Sequence, residues 1–303
     1  MRIGLAAPQY GRFASLESLG LVAREAEAMG FASLWVGDRL LTPLEPKDRY
    51  PGGDGSIPEA HGVFLDPFAV LSVAASLTSR IRLGTSALNA CWYAPPLLAR
   101  SLTTIDQLSG GRLDVGLGLG WSSDEYAAVG VPWKSRAARY EATLDALEAI
   151  WHTDPVAYDG ELWTVAPSRI RPKPVGRPPV LLGGFAPEAL RRVGRRADGW
   201  LTASLPIRML TSMWDTVLRA AEEAGRDPGA LRMVLRANPV VTAGGSPPRS
   251  GPVPQIADYL NEAAAAGVHE CVLDLQHTAE NAPHLLELAG EFRSYLSAAS
   301  AAS

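Results

Sequence analysis

Apolar positions fall along this chain in two kinds of run that take turns. Short runs, bounded by Gly, Pro or Ser, occupy residues 2–7, 33–36, 81–88, 113–119, 179–182, 199–203, 231–242 and 270–275. Most are too short for helices and read as buried parallel strands. Between them lie segments with apolar residues at helical spacing: 16–29, 66–77, 95–108, 136–151, 187–197, 207–224, 255–266 and 282–296. Local punctuation agrees with the pattern. Gly30 is a natural helix stop, Asp66 an N-cap with Pro67 at the first helical position, and Pro187 stands near a helix start. A further helix start, with acidic residues in its first turn, is read at 122–126. Eight strands, most followed by a helix, predict an α/β fold, the (β/α)8 TIM barrel with right-handed crossovers.

The irregular stretches have their own signals. Residues 40–65 are rich in Pro, Gly and Asp and nearly without periodicity, which predicts a lid or substrate loop inserted at the C-terminal face. VAYDGELWTV, within 154–179, predicts a hairpin turning at Asp159-Gly160. The Gly/Pro/Ser-rich segment 244–254 predicts a mobile loop, and the Ala/Ser tail 297–303 is expected to fray. No domain boundary interrupts the alternation, so 1–303 is expected to be one domain.

Composition narrows the function classes. The chain has 303 residues, 47% of them hydrophobic and 20% charged, with a formal net charge of −4. No basic footprint argues for nucleic acid. No run approaches the ~18 apolar residues of a membrane span. Two cysteines, Cys91 and Cys271, make neither a disulfide framework nor a metal cluster. The five histidines show no metal-ligand spacing, so no metal is expected. His61 in the lid and His277 at a strand end are weak candidate proton donors. A cytoplasmic, mildly acidic enzyme acting on a small molecule is the expectation.

A barrel of this kind carries its chemistry at the C-terminal ends of its strands. That places Pro8/Gln9, Asp38/Arg39, 86–89, 118–121, Gly183/Gly184/Phe185, Ala203/Ser204, 236–239 and Gln276/His277 at the mouth. Gly116, Gly118 and Gly120 alternate along one strand. Either something bulky approaches the backbone there, or small residues pack tightly in the barrel wall. The alternation echoes a dinucleotide-binding loop, but it lies within a strand and no helix begins at once, so that reading is rejected.

The string GTSAL…PPLLAR…TIDQLSGGRLDVGLGLGW, with LDPF before it and ADGW after it, resembles the luciferase-like family of flavin and deazaflavin oxidoreductases. Its length and motif wording are most similar to the branch that uses coenzyme F420, a 5-deazaflavin; FMN is the alternative cofactor. The resemblance runs from Met1 to about Leu296 and implies a luciferase-like barrel and a homodimer. It places a non-prolyl cis peptide at Ser86-Ala87, a bulge that supports the back of a tricyclic ring. It raises Gly183-Gly184-Phe185, leading into the helix at Pro187, from an ordinary turn to a candidate phosphate site using free backbone N–H groups.

Other positions keep two readings. Asn89 suits the pyrimidine edge of a flavin-like ring, or forms a turn. Gly118, Gly120 and Trp121 end the glycine-rich strand, and Trp121 stacks on a cofactor or covers the mouth. Ser122, Ser123, Glu125 and Tyr126 reach a ribityl chain and phosphate, or cap their helix. Asp38 and Arg39 orient a ring or shuttle a proton, or form a salt bridge at a loop root. Relatives using the deazaflavin often read Asp-His here. Arg39 stays charged, so it is no acid–base group near neutrality and would instead bind an anionic or carbonyl group. The expected activity is hydride transfer between the deazaflavin C5 and a small organic substrate. The competing classes are an FMN-dependent monooxygenase and a barrel that binds a ligand without turning it over.

Overall fold

The computed structural model describes residues 1–301; residues 302 and 303, the end of the tail expected to fray, lie outside the described residues. Eight strands close on themselves: β1 (Arg2–Ala6), β2 (Ser33–Val36), β3 (Arg82–Thr85), β4 (Leu113–Gly118), β5 (Val180–Gly183), β6 (Gly199–Ala203), β7 (Arg232–Ala237) and β8 (Glu270–Leu273). Each pairs in parallel with its neighbour in sequence, and β8 returns to β1 with Arg2 opposite Glu270, so the ring leaves no free edge. Around it run α1 (Leu16–Ala28), α2 (Pro67–Leu77), α3 (Pro95–Ser109), α4 (Ser123–Ala128), α5 (Arg136–His152), α6 (Pro187–Arg196), α7 (Ile207–Glu223), α8 (Val253–Ala265) and α9 (Ala282–Ala301). This is the (β/α)8 barrel read from the sequence pattern.

The end signals act through hydrogen bonds. Asp66 Oδ1 accepts the Ala69 N–H at 2.8 Å, with Pro67 opening α2. Ser15 Oγ accepts the Ser18 N–H at 3.1 Å at the start of α1. Gly110 takes the left-handed conformation, φ 67°, that ends α3.

Two strands are shorter than their apolar runs. The run 81–88 breaks after Thr85, where the Ser86-Ala87 peptide is cis, and only Leu88 and Asn89 resume pairing, with Leu117 and Gly118 of β4. The run 231–242 ends at Ala237, because Pro239 has no N–H for the ladder; Val240–Val241 pairs instead with Ser250–Gly251. The hairpin forms between Val156–Asp159 and Thr164–Ser168, with the Gly160 N–H donating to the Trp163 carbonyl at 2.9 Å. The 40–65 loop contains a short 3-10 turn, Glu59–Gly62, and returns to the barrel where Phe64 bridges Tyr10.

The barrel is filled rather than hollow. Trp35, Leu181, Leu201, Val234 and Val272 form a separate apolar cluster, against which Ala87 packs. Gly84 has no room for a Cβ because the Trp35 ring lies against it, and Gly116 meets the Thr85 carbonyl and Leu201 in the same way. The Trp35 indole N–H faces Ser33 Oγ at 2.7 Å and Glu270 Oε1 at 3.1 Å. At the N-terminal strand ends, Asp114 takes Arg82 at 2.8 Å and Arg232 at 2.9 Å. This end of the barrel is therefore closed by charge and packing, and only the other end is available for a ligand. Among the described residues no helix is long and apolar enough to cross a membrane, and no three His, Cys, Asp or Glu side chains gather as a metal site.

Candidate active site

The C-terminal strand ends surround a cavity of ≈ 300 Å³. Asp38 and Arg39 come from the end of β2, Ser86, Ala87 and Asn89 from beyond β3, and Gly118, Gly120 and Trp121 from the end of β4. Arg236 and Asn238 come from β7 and its exit, and Asp274 and His277 follow β8. Tyr10, Tyr50, His61 and Phe64 add to the lining beside Gly37, Trp92 and Glu125, with Tyr50 and His61 carried by the 40–65 loop and Phe64 at its root.

One wall is the bulge. The Ser86 N–H donates to the Val36 carbonyl at 2.7 Å, and Arg236 Nη1 donates to the Ser86 carbonyl oxygen at 3.2 Å. The peptide is thus gripped from both sides of the mouth, and the small Ala87 side chain leaves the wall flat. Next to it, Asn89 has its amide oriented by its surroundings. Its Oδ1 accepts the Cys91 N–H at 3.2 Å and lies 3.2 Å from the Tyr126 hydroxyl, so its Nδ2 is left buried without a partner. That nitrogen occupies the place where a Cβ of Gly120 (φ 65°) would stand. A side chain at 120 would therefore displace Asn89 and strain the backbone.

Asp38 stands beside this wall. Its Oδ2 accepts the Asn89 N–H at 3.0 Å and the Tyr93 hydroxyl at 3.2 Å. Burial nonetheless dominates and pushes its pKa up to about 7. A carboxyl so tuned can hold or release a proton at neutral pH. Asp38 and Arg39 do not pair with each other among the described residues. Arg39 turns the other way, its guanidinium 4.8 Å from the centre of the Trp121 ring, with Nη1 buried and unpartnered.

The lid brings aromatic rings over the cavity. Tyr10 stacks on Phe64 with centroids 5.4 Å apart, and His61 meets Tyr10 edge-on at 5.1 Å. Tyr50 meets Trp121 edge-on at 5.5 Å. Burial, then the Arg39 and His277 charges, pull the His61 pKa down to about 4, so this imidazole is neutral at pH 7. That removes it as a ready proton donor at neutral pH. The opposite wall is an ion pair, Arg236 Nη2 to Asp274 Oδ2 at 2.6 Å, with the Tyr10 hydroxyl donating to Asp274 Oδ1 at 3.0 Å. Burial alone would raise the Asp274 carboxyl; the Arg236 and His277 charges and the hydrogen bonds from Arg236 and the Gln276 N–H together outweigh it and hold the pKa below the usual range.

The other site residues read from sequence divide by position. Glu125 reaches the cavity, but its Oε1 accepts the Leu40 N–H at 2.8 Å, so it anchors the lid. Ser123 does likewise, holding Asp48 at 2.7 Å through its N–H, and Ser122 caps α4. Tyr126 is fully buried behind the wall and donates to the Leu119 carbonyl at 2.5 Å. Gly183, Gly184 and Phe185 lie in the next sector of the mouth, at the start of α6, which no side chain caps. Phe185 is half exposed, and the Gly184 carbonyl accepts the Trp200 indole N–H at 2.9 Å. Cys91 is buried against the Arg136 carbonyl and stays outside the lining.

Sequence reasoning named the segments carrying Arg236 and His277 and the 40–65 loop carrying Tyr50 and Phe64, without singling out those two rings, and missed Tyr10 and Asp274. Tyr10 lies four residues past the end of β1, and Asp274 sits inside an apolar run. Nothing in their spacing marks them; the lid residues Tyr50 and Phe64 are placed by tertiary contacts alone.

Four buried polar atoms around this cavity have no partner: Arg39 Nη1, His61 Nδ1, Asn89 Nδ2 and Trp92 Nε1. Unsatisfied buried polar atoms are costly, and their gathering in one cavity fits a flat, hydrogen-bonding ligand.

Comparison with known proteins shows the family and the fold. Residues 2–246 match the family model described as luciferase-like monooxygenase. An uncharacterized protein of Mycobacterium tuberculosis is 36% identical over 229 residues, 72% of this chain and 78% of that protein. The F420-dependent glucose-6-phosphate dehydrogenase of Nakamurella multipartita is 31% identical over 231 residues, covering 72% of this chain and 63% of that enzyme. Among solved structures, an F420-dependent secondary alcohol dehydrogenase in complex with an F420-acetone adduct superposes with a TM-score of 0.79 at 17% identity, over 97% of this chain and 98% of that one. The last likeness is one of fold.

Proposed function

The chain belongs to the luciferase-like monooxygenase family and is an oxidoreductase, and on that premise we propose that it uses coenzyme F420. The proposed reaction is hydride transfer between the deazaflavin C5 and a small organic substrate held at the barrel mouth. The observation that carries this reading is the cavity with its flat Ser86-Ala87 wall and, beside it, the buried and unpartnered Asn89 Nδ2. The preference for F420 over FMN rests on the Nakamurella relative.

Each residue then has a stated task. Ala87 and Gly118 offer a surface without protruding side chains, and Asn89 Nδ2 offers a donor to the edge of a ring. The uncapped start of α6, with Gly183, Gly184 and Phe185, offers backbone N–H groups to a phosphate. Asp38 holds the mobile proton. The 40–65 loop, tied down at Glu125 and Ser123, excludes water from the cavity. A bound deazaflavin supplies two-electron hydride chemistry; the protein supplies position and electrostatics. Location in the cytoplasm and a homodimer complete the proposal.

The test is a fluorescence titration of the purified protein with F420 beside FMN, followed by oxygen uptake with each cofactor reduced. The reading requires tighter binding of F420 and, with reduced F420, no oxygen uptake above the protein-free rate. Tighter FMN binding with oxygen consumption makes the protein a monooxygenase instead, and binding of neither removes the cofactor assignment.

A further inference from the structure

We propose that the substrate of this cavity is a flat aromatic compound bearing a neutral carbonyl oxygen, which Arg39 receives. This deepens the reading above and rests on it only for the reaction, not for the recognition.

Three observations carry the inference. First, the Arg39 guanidinium stands 4.8 Å from the centre of the Trp121 ring, and its Nη1 is buried with neither an acceptor nor a carboxylate partner among the described residues. A buried guanidinium N–H without a partner favours any ligand oxygen that reaches it. Second, the space facing it is lined by rings. Tyr10 and Phe64 stack within 12° of parallel, and Tyr50 stands edge-on to Trp121. Such walls favour a planar apolar body over a polyhydroxylated one. Third, the charge of the lining argues against an anion. Asp38, Glu125 and Asp274 are three acids, and Arg39 and Arg236 are two permanent cations. With Asp38 ionised the sum is −1, and with Asp38 holding its proton it is zero, so in neither state is the lining net positive. Arg236 is already paired with Asp274 at 2.6 Å. A carboxylate would enter with no net attraction from the lining, whereas a carbonyl oxygen accepts from Arg39 without adding charge.

The measurement is calorimetric binding of acetophenone, ethylbenzene and benzoate, first to cofactor-free protein and then to protein saturated with oxidised cofactor. The three probes share a ring and differ in the group offered to Arg39. Acetophenone should bind at least about tenfold tighter than either of the others, a difference of about 1.4 kcal/mol. In Arg39→Met the acetophenone advantage over ethylbenzene should fall to within about twofold, while ethylbenzene binding itself changes little. Benzoate binding tightest, no preference among the probes, or no binding by any of them overturns the proposal. So does displacement of acetophenone by the cofactor, because Arg39 would then serve the cofactor itself. Cofactor affinity is measured in the same series. A protein that prefers acetophenone but binds neither F420 nor FMN keeps this inference and loses the cofactor reading.

Discussion

Arg236 reaches from β7 across the barrel mouth to Ser86, its Nη1 donating to the Ser86 carbonyl oxygen at 3.2 Å. Its other nitrogen meets the buried Asp274 at 2.6 Å, so one side chain both neutralises an acid and holds the bulge. Removing one member of a buried pair strands the other charge. Arg236→Met should therefore lose about 3–5 kcal/mol of stability in urea denaturation. The double variant Arg236→Met/Asp274→Leu should recover most of that loss, yet still bind the cofactor poorly, because Ser86 has lost its donor. A double variant that recovers both stability and cofactor affinity would show the pair to be structural only.

Asp38 gives a pH prediction of definite sign. Its native pKa, raised to about 7 mainly by burial, lies above the unfolded value of about 3.9. The native state therefore binds more protons than the unfolded state between these values, and stability falls as pH rises through that window. Asp38→Asn should be about as stable as the parent near pH 4 and more stable by roughly 1–3 kcal/mol at pH 8, while turnover drops by about 100-fold or more. Urea titrations at the two pH values, beside steady-state rates, check both halves. Equal stability of the two proteins at pH 8 would mean that Asp38 is not desolvated.

The alternating glycines separate into two kinds. A Cβ on Gly116 would run into the Thr85 carbonyl and Leu201, whereas one on Gly118 meets only Ala87 Cβ at 3.4 Å. Gly116→Ala should cost about 1–3 kcal/mol through overpacking. Gly118→Ala should fold with nearly parental stability but weaken cofactor binding by about tenfold or more, since its methyl group enters the cavity. Thermal melts and fluorescence titrations distinguish the two outcomes, and a stable Gly116→Ala would refute the packing account.

Those glycines also show what the sequence could and could not reveal. The pattern placed eight strands and located the mouth, because apolar runs of the right length and their bounding residues are local signals. It could not tell Gly116 from Gly118, since the difference lies in tertiary neighbours, the Thr85 carbonyl and Leu201 of β6 against the one and Ala87, in the break after β3, against the other. The partnership of Arg236 with Asp274 spans strands β7 and β8, and no spacing rule anticipates it. Asp38 and Arg39 were legible as a polar dipeptide at a strand end. That one turns toward Asn89 and Tyr93 and the other toward Trp121 depends on the folded lid. Ser122, Ser123 and Glu125 had two readings from sequence, and the structure gives all three a role in α4 or the lid.

Glu27 supplies a prediction outside the cavity that still bears on it. Its carboxylate, on α1, accepts the N–H groups of Ser79 at 2.9 Å, Arg80 at 2.6 Å and Ile81 at 2.9 Å, the segment that leads into β3. Partial burial would raise its pKa, but the three N–H groups outweigh burial and bring it down to about 2. The unfolded value is about 4.3, so here the unfolded state binds more protons between the two. The stabilisation is complete above about pH 5 and is lost as pH falls toward 2. Because the side chain is partly exposed and screened, its worth is about 1 kcal/mol rather than the full value of the shift. Glu27→Gln should thus melt below the parent at pH 7 and converge with it near pH 2. The same variant should loosen the N-terminal end of β3 in hydrogen exchange, Arg82 first, while Ser86, gripped by Val36 and Arg236, keeps its protection. A loss of protection that runs through to Ser86 would mean that the bulge is held from the base of its strand and not from the mouth.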